Sequence, residues 1–394
     1  MNASRARASW VAEHVRAHCF GGPASRELTF GAELELLAFD DRTHAIAPIF
    51  SSAGCAGSIE IARDVGRRLS WHETISDKGV PRFLGGAGGS FTFEPGGQLE
   101  YASAVHASVD AVLRELCVVE SQLRASAEEH GVTLLATGVD PYNGAADAPL
   151  QLTAERYVRM ARHFATIGAD GARMMRQTAS LQINVGGISA LDTWHVANAI
   201  APWLAAMFAN SPRYASAETG CASYRAETWR GVDARRTGLF SGDDPVGEYT
   251  AFALDAPAFL ADESAPRFAD LPLDRCTEDA LKTHLTTLFP EVRPRGYLEL
   301  RSLDALDDAE RRAAMALVAG VLGDEPAARD ARALLGDADA ALLCRAGREG
   351  MRDATIASRM DDLMEIALAG CRRLGVGIVA GATCAQLEGM AARR

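Results

Sequence analysis

One pattern recurs four times along this chain of 394 residues: a short stretch in which acidic or polar side chains alternate with apolar ones. Alternation with a period of two is typical of a β-strand, because successive side chains point to opposite faces. A single such stretch would suit a solvated sheet edge. Four of them predict one sheet with an apolar face and a carboxylate-rich face, and they occupy residues 29–39, 91–101, 178–185 and 296–304.

Five glutamates lie on the polar face of these predicted strands. Like charges that share a site raise one another's pKa, so the group cannot stay ionised without cations. Oxygen ligands on a rigid sheet suit Mg²⁺, or Mn²⁺, rather than zinc or copper. The sequence therefore predicts a cupped sheet that holds hard divalent metals through Glu33, Glu35, Glu94, Glu100 and Glu299.

Long helical segments separate the predicted strands, which favours an antiparallel or mixed sheet with helices packed on its apolar face. We therefore predict an α+β fold. Residues 1–305 are expected to form the metal-lined sheet domain with helical excursions. The alanine-rich residues 306–394 are expected to form a helical region packed on the same domain.

Charge, cysteine spacing and hydropathy exclude several classes of protein. A net charge of −12 argues against nucleic-acid binding, which normally needs a basic patch. The 8 cysteines are scattered without a C-x-x-C pair, so a zinc or redox motif is not predicted. The chain has neither a signal-peptide pattern nor a membrane-length apolar run. We expect a cytoplasmic protein without membrane contact, and its oligomeric state stays open.

With these segments in hand, the chain resembles the glutamate–cysteine ligases of the plant-type branch, most closely the actinobacterial members that serve ergothioneine synthesis. The resemblance runs in order from residue 29 to residue 305. Its motifs are G-x-E-x-E at 31–35, E-P-G-G-Q-x-E at 94–100, M-M…Q-x-N at 174–184, F-A-N-S-P at 208–212, S-x-R…W…D…R-T-G at 223–238, and H-L-T-T-L-F-P-E-V-R at 284–293 leading to E-L-R at 299–301.

The resemblance implies a fold like the catalytic domain of glutamine synthetase, in which an antiparallel or mixed sheet curls into a funnel with helices outside. It also implies an ATP-dependent ligase. The γ-carboxylate of L-glutamate would form a γ-glutamyl phosphate, and the amine of L-cysteine would displace phosphate to give γ-glutamylcysteine. That product would serve thiol biosynthesis of the ergothioneine or glutathione type. ATP is a co-substrate, and two or three Mg²⁺ ions would bridge phosphates and carboxylates.

Roles for other residues follow from this resemblance. Arg301 is the catalytic candidate, stabilising the transferring phosphoryl group. An arginine fork matches a carboxylate, so Arg225 is a candidate for binding substrate. Arg225 lies in residues 213–247, which we predict to be irregular, either a functional loop or a surface excursion. The remaining candidates are Gln98 for substrate, and Gln182, Asn184, Arg293 and Arg295 for ATP.

Several alternatives remain open at this point. A ligase of the same mechanism could use another amine or another carboxylate, and a two-metal hydrolase could use the same carboxylates without nucleotide. A non-catalytic binding relative would have lost metal ligands, yet all five glutamates are present. His284 is expected to be structural, a catalytic role for Cys221 is not favoured, and the glycine-rich residues 85–89 are expected to be a connector.

Overall fold

The computed structural model describes residues 3–22, 27–52, 55–76, 79–259 and 266–391. The strands are β1 (Thr29–Asp40), β2 (His72–Ile75), β3 (Pro81–Leu84), β4 (Ser90–Phe93), β5 (Leu99–Ala102), β6 (Val132–Leu135), β7 (Ser180–Gly186), β8 (Arg213–Tyr214), β9 (Ala217–Glu218), β10 (Thr237–Gly238), β11 (Phe289–Pro290), β12 (Val292–Pro294) and β13 (Leu298–Asp304).

The α-helices are α1 (Ala3–His14), α2 (Ser58–Arg68), α3 (Val109–Glu129), α4 (Glu155–Ala165), α5 (Asp170–Gln177), α6 (Ala190–Met207), α7 (Tyr224–Arg230), α8 (Pro245–Asp255), α9 (Glu278–Leu285), α10 (Asp308–Leu322), α11 (Glu325–Leu335), α12 (Ala340–Glu349), α13 (Ala354–Leu374) and α14 (Gly381–Ala391). A π-helical turn, Val15–Cys19, continues α1, and short 3₁₀ turns occupy Phe268–Asp270, Leu273–Arg275 and Gly350–Arg352.

The four alternating stretches pair with one another in a single nine-stranded sheet, as predicted. Its order is β12–β13–β7–β1–β5–β4–β3–β2, and β6 pairs with the second half of β1. All of these pairings are antiparallel. The two minor sheets of the described residues, β8–β9 and β10–β11, lie outside this sheet.

Strand register puts the polar side chains on one face of the sheet. Glu35 on β1 lies opposite Glu100 on β5, and Glu33 lies opposite Gln182 on β7. Glu299 on β13 lies opposite Asn184 on β7. Since side chains of directly opposed residues share a face, the predicted gathering of carboxylates on one face is confirmed.

The other face of the sheet is covered by helices. On β1, β7 and β13 the leucine, isoleucine and valine side chains of this face are at most 2% exposed, and α3, α6 and α10 pack against β1, β13 and β7, respectively. The apolar residues that alternate with the polar ones supply this core, as the period of two requires. They include Leu34, Leu36, Leu181, Ile183, Val185, Leu298, Leu300 and Leu303.

The turn between β4 and β5 requires its two glycines. A β-carbon on Gly96 would lie 2.1 Å from the carbonyl oxygen of Arg176, at the end of α5. Gly97 has a φ of +93°, a conformation that side-chain-bearing residues rarely adopt. The turn therefore packs tightly against α5, with Glu94 at the start of the turn. Residues 85–89 form the preceding hairpin turn, between β3 and β4, so their expected role as a connector is confirmed.

The C-terminal region consists mainly of five α-helices, α10 to α14, as predicted. Residues 392–394 of that predicted region lie outside the described residues. Helix α10 packs against α3 and β7 of the sheet domain, and α13 and α14 pack against α10. Among the described residues, none of the helices has the length and apolar character needed to cross a membrane.

Candidate active site

A cavity of about 190 Å³ opens on the carboxylate face of the sheet. The strands form its floor, and its walls come from α4, α5, α7 and the segment that follows α9. Eight of the twelve predicted site residues line it: Glu33, Glu35, Glu94, Gln98, Glu100, Gln182, Arg293 and Arg301.

The two glutamates of β1 lie where burial opposes their ionisation. Burial and the neighbouring Glu299 raise the pKa of Glu33 to about 7, although Arg301 acts in the opposite direction. Burial and nearby Glu94 also raise the pKa of Glu35. Glu35 accepts hydrogen bonds from the backbone N–H of Ser180 at 2.8 Å and from the amide of Gln182 at 3.1 Å. These carboxylates are therefore positioned firmly, and they lack enough cationic charge to stabilise their ionised forms.

The β4–β5 hairpin brings two more carboxylates, Glu94 and Glu100, to the cavity. Gln98 fixes this hairpin because the oxygen and the nitrogen of its side-chain amide bond to different parts of the chain. Its side-chain oxygen accepts from the Gly96 N–H at 3.0 Å, and its side-chain nitrogen donates to the Thr178 backbone carbonyl at 2.9 Å. These bonds hold the hairpin against the start of β7, so Gln98 positions the glutamates around it.

Glu299 does not line the cavity but lies beside it, on the same face of the sheet, in a cage of arginines. It is 0% exposed and pairs with Arg293 at 3.0 Å, with Arg295 at 3.1 Å and with Arg301. Burial opposes its ionisation, but the three guanidinium groups overcome this and hold the pKa of Glu299 at about 2. A metal ion would have to displace at least one arginine to reach it. Metal ligation by Glu299 stays a prediction.

Arg301 connects this cage to the cavity. Its Nη1 donates to the side-chain Oε1 of Gln182 and to Glu299, and its side chain lines the cavity. Arg293 also lines the cavity and donates to the Leu288 carbonyl at 2.6 Å. Two guanidinium groups thus face the carboxylate cluster from β12 and β13, where they can neutralise an anionic ligand.

Arg225 is hydrogen-bonded to the backbone of β13 and does not line the cavity. Residues 213–247 are less irregular than predicted, because they include helix α7, and Arg225 lies on this helix. It is 3% exposed, donates to the Arg301 carbonyl at 2.9 Å and lies over the Trp229 ring at 4.7 Å. In this arrangement it supports the backbone that carries Arg301, and its proposed contact with substrate stays a prediction.

Asp304 at the end of β13 explains two motifs noted in the sequence. It accepts from the Asn210 N–H and the Ser211 hydroxyl at 2.7 Å, and from the Ser223 hydroxyl at 2.8 Å. Burial raises the pKa of Asp304. The F-A-N-S-P and S-x-R segments therefore meet at one buried carboxylate that ties α6 and α7 to β13.

Sequence reasoning missed the helical wall of the cavity. Arg156 and Tyr157 on α4 line it, and Arg156 donates to the Tyr157 hydroxyl at 2.8 Å. Nothing in the sequence of α4 separates them from surface residues. Other lining residues lay inside noted motifs but had no role assigned: Met174, Met175, Trp229, Thr286, Thr287 and Phe289.

Two further predictions concern residues outside the cavity. His284 is 1% exposed, hydrogen-bonds through Nε2 to the Ala253 carbonyl at 2.7 Å and stacks on Phe268 at 4.7 Å. Burial lowers its pKa to about 3, so it is neutral and packed, as expected of a structural histidine. Burial raises the pKa of the Cys221 thiol, and Cys221 does not line the cavity, which fits a non-catalytic role.

Comparison with known proteins identifies the family. Residues 29–373 match the sequence profile of Glutamate-cysteine ligase family 2 (GCS2). The chain belongs to this family. The match extends past the end of β13 into α13, so it covers most of the C-terminal helices as well as the sheet.

Individual relatives of this family-2 chain are bacterial and plant proteins. It is 34% identical over 313 residues to the glutamate–cysteine ligase EgtA of Mycolicibacterium smegmatis, covering 73% of this chain and 72% of that protein. It is 31% identical over 288 residues to the chloroplastic glutamate–cysteine ligase of Nicotiana tabacum, covering 68% of this chain. The alignment spans 55% of the tobacco protein's length, so about half of that plant relative is matched.

A solved structure shares the fold of this family-2 chain. It is a glutamate–cysteine ligase from Francisella tularensis in complex with AMP, with a TM-score of 0.54 and 12% identity. The match covers 94% of this chain and 82% of that one. The predicted α+β class with a large antiparallel sheet is therefore confirmed.

Proposed function

We propose that this family-2 chain is a glutamate–cysteine ligase that forms γ-glutamylcysteine at the expense of ATP. The observation that carries the proposal is one cavity, in a member of this family, lined by four glutamates and three arginines. The product would serve low-molecular-weight thiol biosynthesis, of the ergothioneine or glutathione type. ATP and reduced cysteine are cytoplasmic substrates, and we include that location in the proposal.

The donor set of the cavity fits hard divalent cations. Glu33, Glu35, Glu94 and Glu100 offer only carboxylate oxygens, which suit Mg²⁺ or Mn²⁺. The raised pKa values of Glu33 and Glu35 indicate carboxylates that lack enough compensating charge. When bound, Mg²⁺ would neutralise the phosphates of ATP and the charge that develops during transfer. We propose two or three ions held by these four residues, with Glu299 as a further candidate.

The arginines and amides of the floor would handle the anionic groups of the reaction. Arg301 is held between Gln182 and Glu299, so its guanidinium is preorganised to stabilise the γ-phosphoryl group during transfer to glutamate. Arg293, with Arg295 behind it, would contribute positive charge toward the ATP phosphates. Asn184 lies two residues from Gln182 on the same face, and its buried side-chain oxygen lacks a hydrogen-bond partner within the described residues.

The architecture supports the same proposal at a larger scale. We propose that the nine-stranded sheet curls into a funnel around the cavity, as in the catalytic domain of glutamine synthetase. Residues 1–305 would be the catalytic domain, and 306–394 a helical region that packs on it. Helix α10 packs against α3 and β7, and this packing supports the proposal that the two regions form one body.

The test is a substrate panel. The full chain is incubated with ATP, Mg²⁺ and pairs of amino acids; ADP release is measured and the product is weighed by mass spectrometry. We expect γ-glutamylcysteine from glutamate and cysteine, and loss of activity without Mg²⁺. Turnover with glutamate and only another amine would replace cysteine as the acceptor. Substrate hydrolysis without nucleotide would overturn the proposal in favour of a two-metal hydrolase.

A matched pair of variants tests the cavity itself. Glu94→Gln removes one charge from the proposed metal cluster with little change in volume, and we expect activity to fall below detection while the protein stays folded. Glu73→Gln, on the exposed strand β2, is the control and should retain full activity. Full activity of Glu94→Gln would contradict the metal assignment.

A further inference from the structure

A second group of metal-ligating side chains lies outside the proposed active site, where the N-terminal helix meets α9. His14 ends α1, His18 lies in the π-helical turn that follows, and Glu278 is the first residue of α9. One ligand atom from each of the three lies within 4.8 Å of the others. None of them lines the carboxylate cavity.

The helix geometry presents the two imidazoles together. Residues four apart project from the same side of a helix, and the two ring centroids are 4.5 Å apart. The π-turn begins directly after His14, and such turns often occur at functional sites.

We propose that His14, His18 and Glu278 bind one transition-metal ion of the Zn²⁺ class. Two imidazole nitrogens and one carboxylate oxygen form a set of three that Zn²⁺ accepts, with water as the fourth ligand. This donor set differs from the oxygen-only cluster of the cavity, which suits Mg²⁺. The two sites should therefore select different ions.

Lys282 competes with the metal ion for Glu278. Its Nζ lies 2.7 Å from Glu278 Oε1, one turn along α9, and both side chains are more than half exposed. A cation bound at the cluster has to replace this ammonium group, and repulsion from Lys282 weakens the binding of the ion. Removing Lys282 should therefore increase the affinity, an effect opposite to that of removing a ligand.

The ion would join two segments that adjoin the active-site cavity. The Cys19 carbonyl, at the end of the π-turn, accepts a hydrogen bond from Gly296 N–H at 2.7 Å, just before β13. Helix α9 leads into Thr286 and Thr287, which line the cavity. An ion that links the π-turn to α9 would fasten these segments together, so it acts as a structural metal in this proposal.

The test is a Zn²⁺ titration of the full chain in saturating Mg²⁺, against a chromophoric chelator. We expect one zinc site, weakened at least tenfold in His18→Ala and in Glu278→Gln, and tightened in Lys282→Ala. His72→Ala, which removes an exposed histidine on β2, is the matched control and should bind as the unmodified chain does. Zinc should also raise the midpoint of thermal unfolding in the control but not in His18→Ala.

Cobalt substitution distinguishes binding at this site from binding to any of the 8 cysteines of the chain. We expect visible d–d bands without a thiolate-to-cobalt charge-transfer band, because the ligands are nitrogen and oxygen. A thiolate band, an absence of zinc binding, or unchanged affinity in His18→Ala and Glu278→Gln would each overturn the proposal. These readouts do not use ligase activity, so they stand apart from the test of the proposed function.

Discussion

Arg301 is held at the cavity floor by two different partners, the side-chain oxygen of Gln182 and the Glu299 carboxylate. A guanidinium group can bond both and still present an N–H to the cavity, because its donors form a rigid planar fork. Glu299 in turn has no exposed surface, so its position is set by the surrounding arginines. The cage beside the cavity thus fixes the orientation of the proposed catalytic group.

Arg301→Lys should separate charge from geometry. Lysine keeps the positive charge but cannot bond Gln182 and Glu299 together while reaching the cavity. We expect kcat to fall by about 10²–10³-fold, with little change in the KM for ATP. Steady-state ADP release measures this, with circular dichroism to verify folding. A kcat within about tenfold of the original would show that charge alone suffices.

His284 makes stability depend on pH. Its pKa is about 3 in the folded chain, against 6.5 for an unperturbed histidine, so between these values only the unfolded chain binds a proton there. The contribution of His284 to stability is therefore present near pH 7 and lost as the pH falls through 6.5 toward 3. From pH 7 to pH 5 the loss amounts to about 2 kcal/mol.

The substitution His284→Gln keeps a donor for the Ala253 carbonyl and removes the titrating group. We expect the variant to be less stable at pH 7, because stacking on Phe268 is lost. In urea unfolding, the difference in unfolding free energy between the unmodified chain and the variant should be about 2 kcal/mol smaller at pH 5 than at pH 7. His72→Gln, an exposed control on β2, should follow the unmodified chain. Parallel curves for His284→Gln would contradict this account.

At the residue scale, alternation predicted the floor of the site but not its walls. Glu33, Glu35 and Glu100 were identifiable because period two assigns a face before the partner strands are known. Arg156 was not, since a helix wall faces the cavity only through tertiary packing. The cage around Glu299 was also hidden, because it depends on register between β12 and β13.

At the scale of elements, the β4–β5 hairpin shows how backbone packing positions chemistry. Gln98 ties the turn to the Thr178 carbonyl, and Gly96 allows α5 to approach the turn closely. Both contacts hold Glu94 at the cavity edge. The motif thus combines two carboxylates that line the cavity, Glu94 and Glu100, with glycines and an amide that position the turn between them.

Gly96→Ala should disturb this element. A methyl group there would lie 2.1 Å from the Arg176 carbonyl oxygen, which belongs to the backbone and cannot rotate away. We expect a stability loss of about 1–3 kcal/mol and a clear drop in kcat/KM as Glu94 shifts. Gly86→Ala in the preceding hairpin is the control, because its new methyl group meets no atom within 4 Å. Equal effects in the two variants would contradict this explanation.

Helix α7, which the sequence pattern missed, is short and is held by tertiary contacts. Residues 213–247 were predicted to be irregular because glycine, aspartate and arginine dominate them, yet α7 forms there. Its start is capped by the Ser223 side chain, which accepts from the Ala226 N–H, and the same hydroxyl donates to buried Asp304. A seven-residue helix is marginal alone, so packing against α5 and α12 decides its formation.

At the scale of the whole molecule, a buried ion pair joins the C-terminal helices to the sheet domain. Arg311 on α10 is 0% exposed and lies 2.6 Å from Glu120 on α3. Asp110 on α3 accepts from the Ala380 N–H and from the Thr383 hydroxyl at 2.6 Å. These contacts cross between residues 1–305 and 306–391, so we expect the two regions to unfold in one cooperative transition.

Glu120→Gln should weaken this connection because it leaves the buried Arg311 guanidinium without its main counter-charge. Removing one member of a buried pair costs about 3–5 kcal/mol, although Asp308 at 3.5 Å from Arg311 partly compensates. We expect a large drop in the thermal midpoint, with a single transition retained in calorimetry. The double variant Glu120→Gln with Arg311→Met should recover much of the loss, since no buried charge is left unpaired. If Glu120→Gln instead melted in two separate steps, the C-terminal helices would be an independent unit, and the proposed single body would be wrong.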